Sequence, residues 1–491
     1  MTADFFRARL DQMIDLKHPL AVLAQRMPWA QIEKALSPSF TRKMKDGRVV
    51  EGDDLFGPSL AIAGGGMSNA GRPRLSIRLM AALQYLKHAN DLSDEAVVER
   101  WAQDVQFQYF SGMEYYEPKL PCDATQIGRF RTAIGEAGVE ELLKATIDAA
   151  VETKAAKPAE FERVIVDSTV QEKAIAHPVD SRLLEIARHK VVQAAKTVGI
   201  EFKQTFAKEG KELRRKAGGY AHAKQFRRLR KVVKRQRTIL GILIREVQRK
   251  LPQMQPESAV SLTRLATTLE RAEQIRTQQP KDKNKLYAMH APEVECIGKG
   301  KARKPYEFGV KASFAVTHKS GLMVGARTFP GNPYDGHVLS AQLEQTTILL
   351  EDVGRKPKEV VVDLGYRGVD DDNPGVEIIH RGKYKSLTKT QRKWLKRRQA
   401  VEPAIGHLKS DNRLDRCWLK GQLGDALHAV LCAAGYNIRW LMRAMVRLGL
   451  KALLLPLQLI MLSAAILRNT SLPKSYPAVV ALHGRELGCV K

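Results

Sequence analysis

The sequence predicts an α/β chain: a mixed-sheet core, interrupted by a basic helical insertion and preceded by a helical N-terminal region. Three observations carry this. Two short β-branched runs each end in an acid, VIVD (Val164–Asp167) and VVVD (Val360–Asp363). Between Lys203 and Lys250 stand 17 lysines and arginines against three glutamates, in a stretch of helical character. Before the first run, apolar residues recur at three- and four-residue intervals, the period of an amphipathic helix. At 491 residues the chain exceeds one ordinary core, so two to four units are expected.

Residues 1–70 read as a helical arm and linker. HPLAVLAQRMPWAQIEKAL is amphipathic, and AIAGGGMSNAG at Ala61–Gly71 has the composition of a flexible connector. Residues 71–155 read as three helices, the second capped at Asp91 or Ser93 and the third starting at Asp123. With Arg129 and Arg131 on the last, they fit a helix-turn-helix-like DNA-binding module, and equally any small helical bundle. FERVIVDS opens the first part of the core, residues 161–188. The basic helical insertion follows, residues 189–285, with basic residues recurring around most of the helix and Tyr220, His222 and Phe226 interleaved. Residues 286–415 complete the core. YEFGVKASFAVTHKSGLMVGARTFPG is a hairpin about a Lys-Ser-Gly turn, and a helix from Asp335, its candidate N-cap, runs to Gly354. Two short strands then precede one long basic helix from Thr388. Residues 416–491 are a C-terminal helical region.

The charge points to a partner. Lysine and arginine number 81 against 53 acids, a formal net charge of +28, whose self-repulsion a polyanion offsets. Nucleic acid is the first candidate, since each phosphate neutralised releases condensed counterions. An anionic membrane surface and a merely basic soluble protein are the alternatives. A solvated helix face usually mixes both signs, so the run holding Arg227, Arg228, Arg230, Lys231, Lys234 and Arg235 reads as contacting phosphates. The five cysteines are scattered without zinc-ligand spacing, which fits reduced thiols and a cytoplasmic, nucleoid-associated protein. The N-terminus carries Asp4 and Asp11 and lacks a signal-peptide core. Leu453–Leu467 is apolar but, at 15 residues, short of the roughly 20 that span a bilayer.

Asp167 and Asp363 are the leading candidates for chemistry. Each run reads as a buried strand, so each carboxylate is expected at a strand's C-terminal end, where open α/β sheets bind ligands. Glu402 is the third: Arg398, Glu402 and Lys409 fall on one face of a continuous helix, although an i,i+4 salt bridge to Arg398 also explains Glu402. Three carboxylates can hold two hard divalent ions roughly 4 Å apart, the arrangement that activates a water or 3′ hydroxyl and stabilises the leaving oxygen at phosphorus. Magnesium suits the oxygen ligands, with manganese as its substitute. Lys409 is placed to hold a phosphate. Glu172, Asp370, Asp371, Asp372 and His337 are lesser candidates, in loops or a helix's first turn.

These residues resemble a known family. DLGYRG around Asp363 looks like the second-aspartate motif of bacterial insertion-sequence DDE transposases, and Arg398-x3-Glu402-x6-Lys409 is similar to their C-terminal signature Tyr-x2-Arg-x3-Glu-x6-Lys. VIVDSTVQEKAIAHPVDS, GNPYDGH and the helical region from Gly71 also resemble family segments, nearest to insertion sequence family five. The resemblance covers most of residues 15–440. It implies an RNase H-like core, Asp167, Asp363 and Glu402 as catalytic metal ligands, and double-stranded DNA carrying terminal inverted repeats as substrate. It also implies a homodimer on DNA. Leu395, beside Trp394, stands where the family has the signature tyrosine. A nuclease that cuts without joining and a domesticated DNA-binding protein are the rival readings.

Overall fold

A computed structural model of the chain describes residues 9–40, 42–43, 49–50, 75–253, 259–298 and 304–470, with side chains of the last stretch to residue 449. The connector at 61–71 lies outside them. The amphipathic N-terminal stretch forms α2 (Pro19–Arg26) and α3 (Trp29–Leu36), after a single turn α1 (Leu10–Met13). A two-residue antiparallel ladder, β1 (Arg42–Lys43) with β2 (Val49–Val50), follows. Then come α4 (Ile77–Ala89), α5 (Asp94–Gln103), α6 (Val105–Phe110) and α7 (Ala124–Glu152). Side-chain oxygens fix these starts: Ser76 accepts from the Leu79 amide at 3.1 Å, Ser93 from Ala96 at 3.0 Å and Asp123 from Thr125 at 2.9 Å.

The core is one mixed sheet. Its strands are β3 (Arg163–Glu172), β4 (Glu295–Gly298), β5 (Tyr306–Thr317), β6 (Met323–Phe329), β7 (Glu359–Val361) and β8 (Glu377–Ile379). β3 is central. It pairs antiparallel with β5 from Val164 to Glu172 and parallel with β7 from Arg163 to Ile165, and β8 lies parallel beyond β7. The far edge of β5 carries β4 against its first residues and β6 against its last. β5 and β6 are the expected hairpin, with Gly321 at φ +71° in the turn.

Four helices stand between β3 and β4 in the chain: α8 (Asp180–Lys196), α9 (Ala207–His222), α10 (Phe226–Lys250) and α11 (Ala259–Thr277). They share a separate core of Leu183, Leu184, Val191, Ile239, Leu243, Val247, Leu265 and Ile275, among others. Two expectations change here. The helical unit begins at α8, before residue 189, because Leu183 and Leu184 are buried in its core and not against the sheet. And the basic residues of α10 do not encircle it. Val232, Gln236, Ile239, Leu240, Leu243, Ile244 and Val247 form a buried stripe at helical spacing, which confines the charge to the remaining face.

After the sheet come α12 (Asp335–Leu349, between β6 and β7), α13 (Lys389–Arg397), α14 (Val401–Asp411) and α15 (Gly421–Thr470). The long basic helix is two. Thr388 caps α13 with Gln391 in a reciprocal capping box, and a 3-10 turn at Arg398–Ala400 separates it from α14. Pro403 explains the break: its ring has no amide hydrogen for the carbonyl of Gln399 and crowds it. α15 packs Leu427, Val430, Leu431, Ile438 and Leu441 into the same core as α2, α4, α7 and the sheet. Each such side chain contributes about 1.5–3 kcal/mol. The N-terminal helices therefore share the sheet's core and do not form a separately packed module. Leu453–Leu467 continues α15, and among the described residues no helix is long and apolar enough to cross a membrane.

Arg131 is not on the surface. It is buried, its Nη2 is 3.2 Å from Asp94 Oδ2, and Lys87 Nζ holds Asp94 Oδ1 at 2.6 Å. The guanidinium expected to reach DNA instead ties α7 to α5. Asp94→Ala leaves two enclosed cations facing each other, and a loss of about 3 kcal/mol in urea unfolding is the expected outcome; a change below about 0.5 kcal/mol means the trio is solvated.

Candidate active site

Asp167 sits in mid-strand and not at a strand end. The expectation failed because the polar continuation TVQE is held in the sheet by β5, which pairs with β3 as far as Glu172. β7, however, stops opposite Ile165, so Asp167 emerges just beyond the end of its parallel neighbour. Asp363 follows β7 by two residues. Its side chain accepts from the Gly365 amide at 2.8 Å, opening a 3-10 turn over Leu364–Tyr366. The two aspartates thus share the C-terminal edge of the β3/β7 pair.

A third carboxylate joins them from α12. Asp335 was expected to be an N-cap, but Tyr334 occupies that position and no side-chain cap bond forms. Gly331 and Asn332, at φ +76° and +47°, turn the chain after β6 and set the first turn of α12 over the edge. There Asp335 Oδ1 accepts from the Ser168 hydroxyl at 2.7 Å and from Lys311 Nζ at 3.0 Å. The motif GNPYDGH was visible in the sequence, but nothing in it separates a cap from a carboxylate delivered to the sheet. Tyr366, in DLGYRG, is buried beside all three acids, and burial followed by those charges pushes its phenol well above the usual range.

Glu402 lies at the rim, with 64% of its side chain exposed, in the first turn of α14. One guanidinium joins it to the sheet: Arg398 Nη1 is 3.3 Å from Asp167 Oδ2 and Nη2 is 3.5 Å from Glu402 Oε1. The i,i+4 pair anticipated between Arg398 and Glu402 is present, and it is also the link between Glu402 and Asp167. Lys409 Nζ is 3.5 Å from the enclosed Glu307 Oε2. Leu395 is buried, and Arg163 stacks over the Trp394 ring at 3.2 Å from its centroid.

The lesser candidates go elsewhere. Glu172 pairs with Lys304 at 2.5 Å, Asp370 with Lys383, and Asp371 and Asp372 are exposed. His337 is exposed and edge-on to Tyr334. Arg129 is exposed on α7, as are Arg227, Arg228, Arg230, Lys231, Lys234 and Arg235 on α10, the last paired with Glu209 at 2.6 Å.

The donor set suits a hard divalent cation. All its candidate ligands are carboxylate oxygens. Gly365 leaves a cradle between two of them: a Cβ there would meet Asp363 Oδ1 at 2.9 Å and Asp335 Oδ2 at 3.0 Å. Burial pushes the Asp167 carboxyl up to about 6 against the pull of Arg398, and Asp363 and Asp335 add to the rise. A cluster that resists its own charge is relieved by a cation. Because the folded chain holds this proton more tightly than the unfolded one, the associated stability is complete below about pH 4 and lost as pH rises through about 6. Asp167→Asn escapes that loss. In EDTA its stability relative to wild type is expected to be roughly 2 kcal/mol greater at pH 7.5 than at pH 4, by urea unfolding; equal differences at both pH values mean an ordinary aspartate.

Comparison with known proteins places the chain in a family. Residues 53–133 match the family described as Transposase domain (DUF772), and residues 266–438 match the family described as Transposase DDE domain. The second match takes in Asp335, Asp363 and Glu402 and begins after Asp167. A Rhizobium meliloti protein, "Uncharacterized protein ORF8 in nfe locus", is 42% identical over 223 residues, 45% of this chain and 95% of that protein. No solved structure matches. The DDE domain carries an RNase H-like fold with it and, in general, use of divalent metal ions. The chain belongs to the insertion-sequence DDE transposases.

Proposed function

We propose that this transposase binds the terminal inverted repeats of its element as double-stranded DNA, cleaves the ends and joins the 3′ ends to target DNA. The observation that carries the reading is the meeting of Asp167 and Asp363 at the open edge of the β3/β7 pair, with Glu402 linked to Asp167 through Arg398. Asp167, Asp363 and Glu402 would hold magnesium, or manganese in its place. The bound ion supplies Lewis-acid chemistry that activates a nucleophile and stabilises a leaving oxygen at phosphorus.

The chain's own residues do the rest. Arg398 pre-positions Glu402 and presents further guanidinium hydrogens toward an incoming phosphate, which it matches bidentately. Lys409, leaning on Glu307, offers a second cation from α14. The exposed face of α10 supplies Arg227, Arg228, Arg230, Lys231 and Lys234 to the backbone of the duplex, and Arg129 adds a cation on α7. A homodimer on DNA is part of this proposal, because two ends must be cut together.

Two experiments test it. With magnesium and a duplex bearing the element's ends, wild type should nick the ends and yield joined product. Asp167→Asn, Asp363→Asn and Glu402→Gln should each lose at least about a thousandfold in cleavage, matching loss of a metal ligand or of charge stabilisation. Hydrolysis without joining supports the nuclease alternative instead, and unchanged cleavage by Asp167→Asn ends the enzymatic reading. Separately, alanine at Arg227, Arg228 and Arg230 leaves the buried stripe of α10 intact. It should flatten the plot of log affinity against log salt by about 0.9 for each phosphate contact removed; an unchanged slope takes this face off the DNA.

A further inference from the structure

We propose that Asp335 is a fourth carboxylate of the cation site, presenting its Oδ2 beside Asp363 while Lys311 and Ser168 hold its Oδ1. The inference rests on the metal-dependent reading above. A carboxylate at the start of a helix ordinarily caps it, and this one makes no cap bond. A carboxylate next to lysine is ordinarily a salt bridge, but here that role and the Ser168 bond both fall on Oδ1. Oδ2 takes part in neither. It and Asp363 Oδ1 lie 3.0 and 2.9 Å from the one point that a Cβ of residue 365 would fill, so the two oxygens are no further apart than the sum of those distances. One oxygen tethered by a lysine and a hydroxyl, the other free toward a partner acid, is how proteins orient metal-binding carboxylates.

Two further observations point to a ligand in this space. The Tyr366 hydroxyl is buried among Asp335, Asp167 and Asp363 and makes no hydrogen bond of good geometry, with the Ser168 hydroxyl, which donates to Asp335, beside it. An enclosed hydroxyl with hydrogen-bonding capacity to spare suits a water of a hydrated cation, to which it can donate or from which it can accept. The formal charges agree. Asp167, Asp335, Asp363 and Glu402 face Lys311 and Arg398, which leaves the two negative charges that one divalent ion balances. Glu402 stands at the exposed rim, whereas Asp335 is tied to the sheet itself through Ser168 on β3 and Lys311 on β5.

Manganese ion alone, titrated into the full-length protein with free ion read by electron paramagnetic resonance, tests the assignment. Asp335→Asn should raise the apparent Kd at least about tenfold, and Asp363→Asn should do the same. Asp371→Asn, which removes one charge from an exposed loop, should change it less than about twofold. Ser168→Ala keeps every carboxylate and frees one tether, with an expected weakening of about threefold, and it decides the matter if Asp335→Asn fails to fold by circular dichroism. If Asp363→Asn weakens binding while the folded Asp335→Asn (or, failing that, Ser168→Ala) matches wild type, Asp335 is excluded and the metal-dependent reading stands. If Asp363→Asn binds manganese as tightly as wild type, both are overturned.

Discussion

The structure turns on a mismatch in length between the two neighbours of β3. On one side β5 pairs with nine consecutive residues; on the other β7 accompanies only the first three. Where β7 has ended, β3 still continues, so one flank of the central strand is left without a strand beside it. Asp167 opens into that gap, Asp363 arrives there as the chain leaves β7, and the start of α12 closes it from above. Antiparallel pairing with β5 keeps the backbone at Asp167 rigid although its parallel partner is gone. Regular strands hold side chains more tightly than loops do, so Asp167 has a well-fixed position.

The same gap is electrostatically uneasy. Acids are concentrated where burial raises the cost of their charge, and the chain offsets this with two cations from different elements, Lys311 on β5 and Arg398 at the break between α13 and α14. Arg398 holds Asp167 and Glu402 together from the turn between the two helices, and Pro403 explains that turn. A departure from ideal helix geometry and the joining of rim to core thus fall at the same residue. Stability is given up locally where function needs charge, as active sites commonly do.

Much of this was legible in the sequence. The runs VIVD and VVVD marked the two strands, the Lys-Ser-Gly turn marked the hairpin, and Thr388 marked a helix start. These signals are local: they depend on neighbours along the chain. What was not legible depends on distant segments. TVQE looked like the loop after a strand because its pairing with β5 involves residues about 140 positions away in the chain. Arg131 looked like a surface cation until Asp94 and Lys87 enclosed it. Asp335 has the sequence context of a cap, and only the turn at Gly331 and Asn332, together with the placing of Ser168 and Lys311, gives it another neighbourhood. For the triad, motif spacing indicated the residue types; the guanidinium that connects them across elements required the fold.

The separate core of α8–α11 has a consequence for the order of assembly during synthesis. β3 leaves the ribosome more than a hundred residues before β5, and at about 5–20 residues per second that is a wait of roughly seven to thirty seconds. An unpaired, apolar strand waiting so long is prone to pair with the wrong chain. Here the interval is filled by a segment with its own hydrophobic interior, which can fold beside the ribosome and shorten the effective loop that β5 must close. Until β5, β7 and α14 have followed, Asp167, Asp363 and Glu402 remain apart, so a nascent chain carries these acids in an unassembled form.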